Sequence, residues 1–383
     1  MKGFRAKKRG FSGAESGELF EKSAGEKGAE IAVRIILGRT PGPRMIRRGI
    51  GLMVGNANVS IFAGSGGHAF AERMCRYLGC PVGKSTVIRF SDGNTFVRID
   101  ESVRDRAVYL VQPIGMSPND EFVEILFWLD AFKRASALSV TLVMPYFGYA
   151  KGDKKDEPRV SIRARVCAES IELAGADRIM VQDLHCGQIQ GFFKKPLDHV
   201  YALPVLAQYV KSLHLDNTVV VSPDAGYAKQ ARRFGVALNM PVAIGDKQRS
   251  DHTENAEVLE ILGDIEGKNC LIVDDFTISG GTLVNLAAAL KKKGAKRIFA
   301  ALSHNIISEE GVKRIENSPI EKLISTDTVE NPRVIGHPKF KTLSVAPIFA
   351  EMVRRYHNYE SINELSDELP ESLFKSCVQD TDL

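Results

Sequence analysis

From Val59 onward, short apolar runs alternate with stretches whose apolar residues recur every three or four positions. The runs are "VSIFAG" (59–64), "AVYLVQ" (107–112), "SVTLVMPY" (139–146), "RIMVQDLH" (178–185), "TVVVSPD" (218–224), "CLIVDD" (270–275) and "RIFAALSH" (297–304). Most are continuous rather than alternating, which marks strands buried on both faces of a parallel sheet. Helical periodicity falls between them, around 67–79, 118–136, 161–175, 225–239 and 281–293. Strand–helix–strand repetition predicts an open α/β fold. There are too many strands for one small sheet. The pattern therefore predicts two similar α/β halves joined near residue 200, each a mainly parallel sheet flanked by helices.

A length of 383 residues suits two domains plus tails, and 44% hydrophobic with 26% charged residues is ordinary for a globular protein. No apolar run approaches the length of a membrane span; the most apolar helix, "EFVEILFWLDAFKRA" (121–135), is amphipathic. The six cysteines lack metal-ligand spacing, and Cys75 and Cys80 have no second pair nearby. With no secretory signal, reduced thiols and a cytoplasmic location are expected. Charge is uneven. Residues 1–50 carry 12 Lys and Arg against 5 Asp and Glu, a local +7 within a net +4. A poorly ordered, solvated extension over 1–57 is the expectation, ahead of a nucleic-acid arm; a start at Met45 or Met53 is a further reading. The acidic segment 367–383 is expected to be disordered.

Ligands of open parallel sheets bind at the carboxyl ends of the strands. Several predicted strands end in ionisable residues: Asp183 and His185, Asp224, Asp246 and Lys247, Asp274 and Asp275. The last pair opens "LIVDDFTISGGTL" (271–283). Glycine-freed amides at a helix start bind phosphate oxygens, and Ser279 and Thr282 add hydroxyls. Two adjacent carboxylates repel a phosphate but accept hydrogen bonds from a vicinal diol. A diol and a phosphate on one small molecule describe ribose 5-phosphate. A plain capped strand-to-helix connection is the simpler reading, but it leaves the paired acids unexplained.

This run resembles the PRPP-binding loop of phosphoribosyltransferases and PRPP synthetases. The chain also carries "FSDGN" (90–94), "PYFGYAKGDKK" (145–155), "DLHCGQIQGFF" (183–193), "SPDAGYAKQAR" (222–232) and "AIGDKQR" (243–249). In this order they resemble the ribose-phosphate pyrophosphokinase (PRPP synthetase) family, from about Val59 to Ser366. The resemblance implies two phosphoribosyltransferase-type domains, 58–199 and 200–341, with a strand and helix near 342–362 returning to the first. It implies transfer of the β,γ-diphosphate of ATP to the 1-hydroxyl of ribose 5-phosphate, with magnesium (Mg2+) as cofactor. It assigns Lys247 and Arg249, on a mobile loop, to catalysis. Phe90, Asp92, Asn94, Lys151, Asp153 and His185 fall to ATP, and His185 and Asp224 to the metal. Asp274, Asp275, Ser279, Gly280, Gly281 and Thr282 fall to ribose 5-phosphate. The "FSDGN" hairpin would reach a neighbouring subunit, implying a dimer-based homo-oligomer such as a hexamer, with no membrane or nucleic-acid partner.

The pattern breaks in places. Asn94 stands where a Glu is usual, Lys151-Gly152 where Arg-Gln is usual, Tyr227 for a usual glycine and Ile278 for a usual acid. A working synthetase with an altered nucleotide pocket and relaxed base selectivity is expected. Two rivals are a catalytically impaired regulatory subunit and a PRPP-using phosphoribosyltransferase.

Overall fold

The computed structural model describes residues 52–54, 57–249 and 257–379. The extension expected over 1–57 otherwise lies outside them. Its last part does not: β1 (Leu52–Val54) pairs antiparallel with β2 (Ala57–Ala63) at a sheet edge.

The first sheet continues through β5 (Ala107–Val111), β6 (Ser139–Met144), β7 (Arg178–Gln182) and β8 (Leu197–Val200), all parallel to β2, in the order 1-2-5-6-7-8. Between β2 and β5 the hairpin β3 (Ser85–Arg89) and β4 (Thr95–Ile99) forms a separate two-stranded sheet. The second sheet has the order 11-10-9-12-13-14-15. Its parallel members are β9 (Thr218–Ser222), β10 (Val242–Arg249), β12 (Asn269–Thr277), β13 (Ile298–Asn305), β14 (Ile320–Thr326) and β15 (Phe340–Leu343), while β11 (Glu257–Leu262) runs antiparallel to β10. Every residue of β5 and β9 is buried, as continuous apolar runs require when helices cover both faces.

Three apolar cores follow from this layering. Helices α1 (His68–Leu78), α4 (Leu203–Ser212), α5 (Ala228–Leu238) and α8 (Ala346–His357) fill a core that draws residues from both sheets. Helices α2 (Pro118–Arg134) and α3 (Arg163–Ala174) cover the far face of the first sheet around fully buried Trp128 and Phe132, whose rings stack 5.6 Å apart. Helices α6 (Gly281–Lys292) and α7 (Glu309–Glu316) cover the far face of the second. Of the segment 342–362, the helix packs on α1 of the first half, whereas β15 is hydrogen-bonded into the second sheet.

The acidic tail departs from expectation. Residues 371–379 form α9 (Glu371–Gln379), with Leu369, Leu373 and Cys377 buried in the central core. Charged residues at the intervening positions mask an i, i+4, i+8 stripe, and burying that stripe offsets the ordering entropy that composition alone suggested was unaffordable. Leu373→Ala is expected to destabilise the protein by about 2–5 kcal/mol, read as a lower urea midpoint. An unchanged midpoint would show that the tail does not dock.

Candidate active site

Strands β6 and β7 of the first sheet and β12 and β13 of the second deliver their carboxyl ends to one cleft. Its lining includes Tyr146, Lys151, Asp183, His185, Asp275, Phe276 and His304. Here Nδ1 of His185 lies 2.6 Å from Oδ2 of Asp275, an ion pair joining the two halves. Both residues were predicted at strand ends, but β12 runs two residues further: Phe276 and Thr277 still pair with His304 and Asn305. The carboxylates therefore lie within the ladder to β13, which continues past them, rather than on a loop.

Burial sets their charge states. Burial and the neighbouring Asp275 charge push Asp274 up to about 8. Burial also pushes Asp275 upward, but the hydrogen bond and charge of His185 outweigh it, holding this carboxyl below its ordinary range. The same hydrogen bond raises His185 above a free imidazole, against burial and the positive Lys151. The contact thus favours the charged forms of Asp275 and His185, while burial favours the neutral form of Asp274.

The turn leading to His185 is under strain. Asp183 has φ 33°, in the left-handed region, although it is not glycine. Three groups hold it there: Oδ2 accepts from Ala202 N at 2.8 Å and from Ser303 Oγ at 2.6 Å, and its carbonyl lies 3.1 Å from His304 Nε2. Burial lowers His304, so the ring is neutral. Its Nε2–H donates to that carbonyl, and Nδ1, 2.8 Å from Thr328 Oγ1, accepts. The "DLH" acid is thus a positioning group. His304 and Tyr146, whose rings lie 4.7 Å apart, escaped the sequence reading. "ALSH" was read as a strand, and its polar end was not counted.

Residues 150–153 close one wall. Lys151 Nζ sits 4.1 Å above the Phe276 ring, and Asp153 Oδ2 accepts from Cys186 Sγ at 2.9 Å. Both predicted nucleotide residues therefore flank His185. Asp224 is exposed beyond β9, where its Oδ1 accepts from Tyr227 N at 3.0 Å. Tyr227 lines a neighbouring crevice with Asp183, His185, Arg233 and Asp275.

Ser279, Gly280, Gly281 and Thr282 form the start of α6. Gly280 adopts φ 70°, which a side chain would resist, and no side chain caps the helix. Gly281 N makes only a long 3.4 Å contact to Ser279 Oγ. Arg314 Nη1 lies 3.5 Å from the Ser279 carbonyl, a cation beside the turn that no local motif announced. The first half has its own glycine-rich turn, 64–67, but it is filled from within. Glu124 accepts from Ser65 N at 2.8 Å and Gln112 from Gly66 N at 3.1 Å. A carboxylate in that seat excludes phosphate, so only the second turn is open to an anion.

Two predicted groups lie apart. Phe90, Asp92 and Asn94 form the hairpin tip, where Asp92 accepts from Asn94 N at 3.0 Å and Asn94 Nδ2 at 2.8 Å. Among the described residues no hydrogen bond links them to the His185 cleft. Lys247 and Arg249 were expected on a loop, but their backbone belongs to β10, paired with Leu259 and Glu257 of β11. Only Val242–Ile244 of β10 is bonded to β9, so the ribbon overhangs the sheet beyond that point. No helix among the described residues is long and apolar enough to cross a membrane.

Comparison with known proteins agrees with this architecture. Residues 59–175 match the N-terminal domain of ribose phosphate pyrophosphokinase, and 252–366 match the phosphoribosyl synthetase-associated domain. A Wolinella succinogenes ribose-phosphate pyrophosphokinase is 43% identical over 305 residues, 80% of this chain and 98% of the relative. The chain belongs to the ribose-phosphate pyrophosphokinase family. The Rhizobium meliloti member is 42% identical over 81% of this chain and all of its own length. The crystal structure of phosphoribosylpyrophosphate synthetase from Mycobacterium smegmatis superposes with TM-score 0.73 at 35% identity, covering 79% of this chain and 99% of that one. Membership makes the two α/β halves a PRPP-synthetase fold and supports an enzyme of this type.

Proposed function

We propose that this chain is a ribose-phosphate diphosphokinase. The 1-hydroxyl oxygen of ribose 5-phosphate attacks the β-phosphorus of ATP, losing its proton as the new O–P bond forms. The bond between the β-phosphorus and the oxygen bridging to the α-phosphate breaks, AMP leaves, and PRPP is the second product. One observation carries the reading: the Asp274–Asp275 pair, whose second carboxylate lies 2.6 Å from His185 across the cleft, precedes the uncapped 279–282 helix start by a few residues.

The division of labour follows from chemistry. Asp274 and Asp275 offer acceptors to the ribose hydroxyls, and residues 279–282 offer amides and hydroxyls to the 5-phosphate. Lys151 and Asp153 serve ATP. Lys247 and Arg249 neutralise the diphosphate in transit, where charge is greatest. The overhanging ribbon that bears them is bonded to the sheet only at its base, as a closing flap requires.

Magnesium fits the donor set. No group of three or more metal-binding side chains occurs among the described residues. This ion is commonly held by one or two protein ligands, phosphates and water, and needs no such cage. His185 and Asp224 would each supply a ligand. Magnesium held there would supply neutralisation of phosphate charge and polarisation of phosphoryl oxygens.

The hairpin supports a homo-oligomer of dimers, a hexamer in the fullest form. Ile88, Phe90 and Phe96 are exposed on it, with Phe90 51% accessible, as a tip that completes a neighbour's nucleotide site requires.

The test is phosphorus-31 NMR of the full chain with magnesium, ATP and ribose 5-phosphate, with and without inorganic phosphate. AMP and the paired resonances of a sugar 1-diphosphate are expected, and parallel runs with GTP and CTP read base selectivity. ATP left intact by folded oligomer would instead favour a regulatory subunit.

A further inference from the structure

Gly152 is buried in the middle of the 150–153 wall, and what covers it is Arg163. A Cβ built on Gly152 would lie 2.8 Å from both Cβ and Nε of Arg163, closer than real contacts allow. Position 152 and Arg163 therefore compete for one volume, and here the arginine has it.

The arginine does little for the fold. It is the first residue of α3, which has no acid in its first turn and no side-chain cap. A cation at the positive end of a helix dipole is disfavoured. Arg165, in the same turn, is relieved by Glu169 at 2.9 Å. Arg163 has no ion pair and no side-chain hydrogen bond among the described residues, and it is exposed. It lies against Gly152 of a wall whose two ends contact the His185 cleft, through Lys151 on Phe276 and Asp153 on Cys186. Lys154 and Lys155 follow in sequence, so the stretch adds cations to Lys151, interleaved with Asp153, Asp156 and Glu157. An exposed guanidinium with no ion pair or hydrogen bond among the described residues, whose charge is felt by Tyr149 and which lies beside the lysines of a phosphate-handling cleft, is available to a polyanion.

We propose that Arg163 is a nucleotide-binding residue, seated in the space a side chain at 152 would take and directed at the polyphosphate of ATP. This rests on the diphosphokinase reading, since it takes 151–153 as the nucleotide wall. It also accounts for Gly152: the missing side chain makes room for a cation arriving from the next helix.

A double-mutant cycle tests it in the full chain, with ATP affinity measured by calorimetry in magnesium and steady-state KM and kcat measured alongside. Arg163→Ser is expected to weaken ATP about tenfold, the loss of one charge-assisted contact. Ribose 5-phosphate affinity should stay within twofold, and the melting temperature should hold or rise, because an unfavourable helix-end cation is gone. Gly152→Gln should also weaken ATP, by expelling Arg163. The double variant should bind ATP several-fold better than the product of the two losses. ATP affinity within twofold of wild type for Arg163→Ser would overturn the proposal. So would a parallel loss of both substrates with a lower melting temperature, which would show a structural role. If wild type binds ATP but forms no AMP, the transfer reading fails, and the titrations still judge Arg163. If wild type binds no ATP, both fall.

Discussion

Lys247→Ala is expected to lower turnover at least about 100-fold, with the melting temperature and oligomeric state unchanged. The magnitude is that of removing one positioned donor from a transition state in a water-excluded site. Its structural basis is the ribbon. Position 247 pairs with Leu259 and position 249 with Glu257, and residues two apart on a strand share a face. The backbone positions of Lys247 and Arg249 are thus set by one antiparallel ladder. Because the cation acts on charge that peaks in transfer, kcat should fall far more than KM for either substrate rises. Initial rates of AMP formation at saturating ATP and ribose 5-phosphate give the answer. A loss under threefold would remove Lys247 from the mechanism.

Much of the fold was legible because burial writes itself into local pattern. β5 and β9 announce themselves as unbroken apolar runs, and α1, α2, α3, α5 and α6 show their periodicity. The β10–β11 ribbon was hidden because "GDKQR" alternates nothing. Its pairing comes from the partner strand β11, and periodicity cannot see a partner. Residues 369–377 were misread for the opposite reason: acidic composition obscured a buried stripe. In the site, Asp274, Asp275 and the glycine turn could be found locally because their chemistry sits in one short stretch. The groups that hold them in place come from elsewhere. His304 and Ser303 lie far from Asp183 in sequence, and the left-handed backbone they clamp leaves no mark on a residue that is simply an aspartate. Gly152 looked like a lost side chain; only the fold reveals Arg163 above it.

Asp275→Asn is the substitution that best separates the two duties assigned to one carboxylate. The change is isosteric, so β12 and its ladder to His304 should persist, and the melting temperature tests that. Hydrogen bonds to a charged acceptor are worth about 1.5–3 kcal/mol, so ribose 5-phosphate should bind about 10- to 100-fold more weakly by calorimetry. The electrostatics should change with it. His185 is raised chiefly by its hydrogen bond to Asp275, and the neutral amide withdraws both that bond's charge and the attraction, so the imidazole should titrate lower in the metal-free protein. Asp274 is held up by burial first and then by the Asp275 charge; removing that charge should bring it down from about 8. Ring-proton NMR of His185 and calorimetry of the sugar phosphate then read independent quantities. A lower His185 with unchanged sugar-phosphate affinity would mean that Asp275 serves the imidazole alone, and the diol would pass to Asp274. Weaker sugar-phosphate binding with His185 unmoved would mean that the 2.6 Å contact is not an ion pair in solution, and the two halves of the cleft would be joined by Asp183, Ser303 and His304 instead.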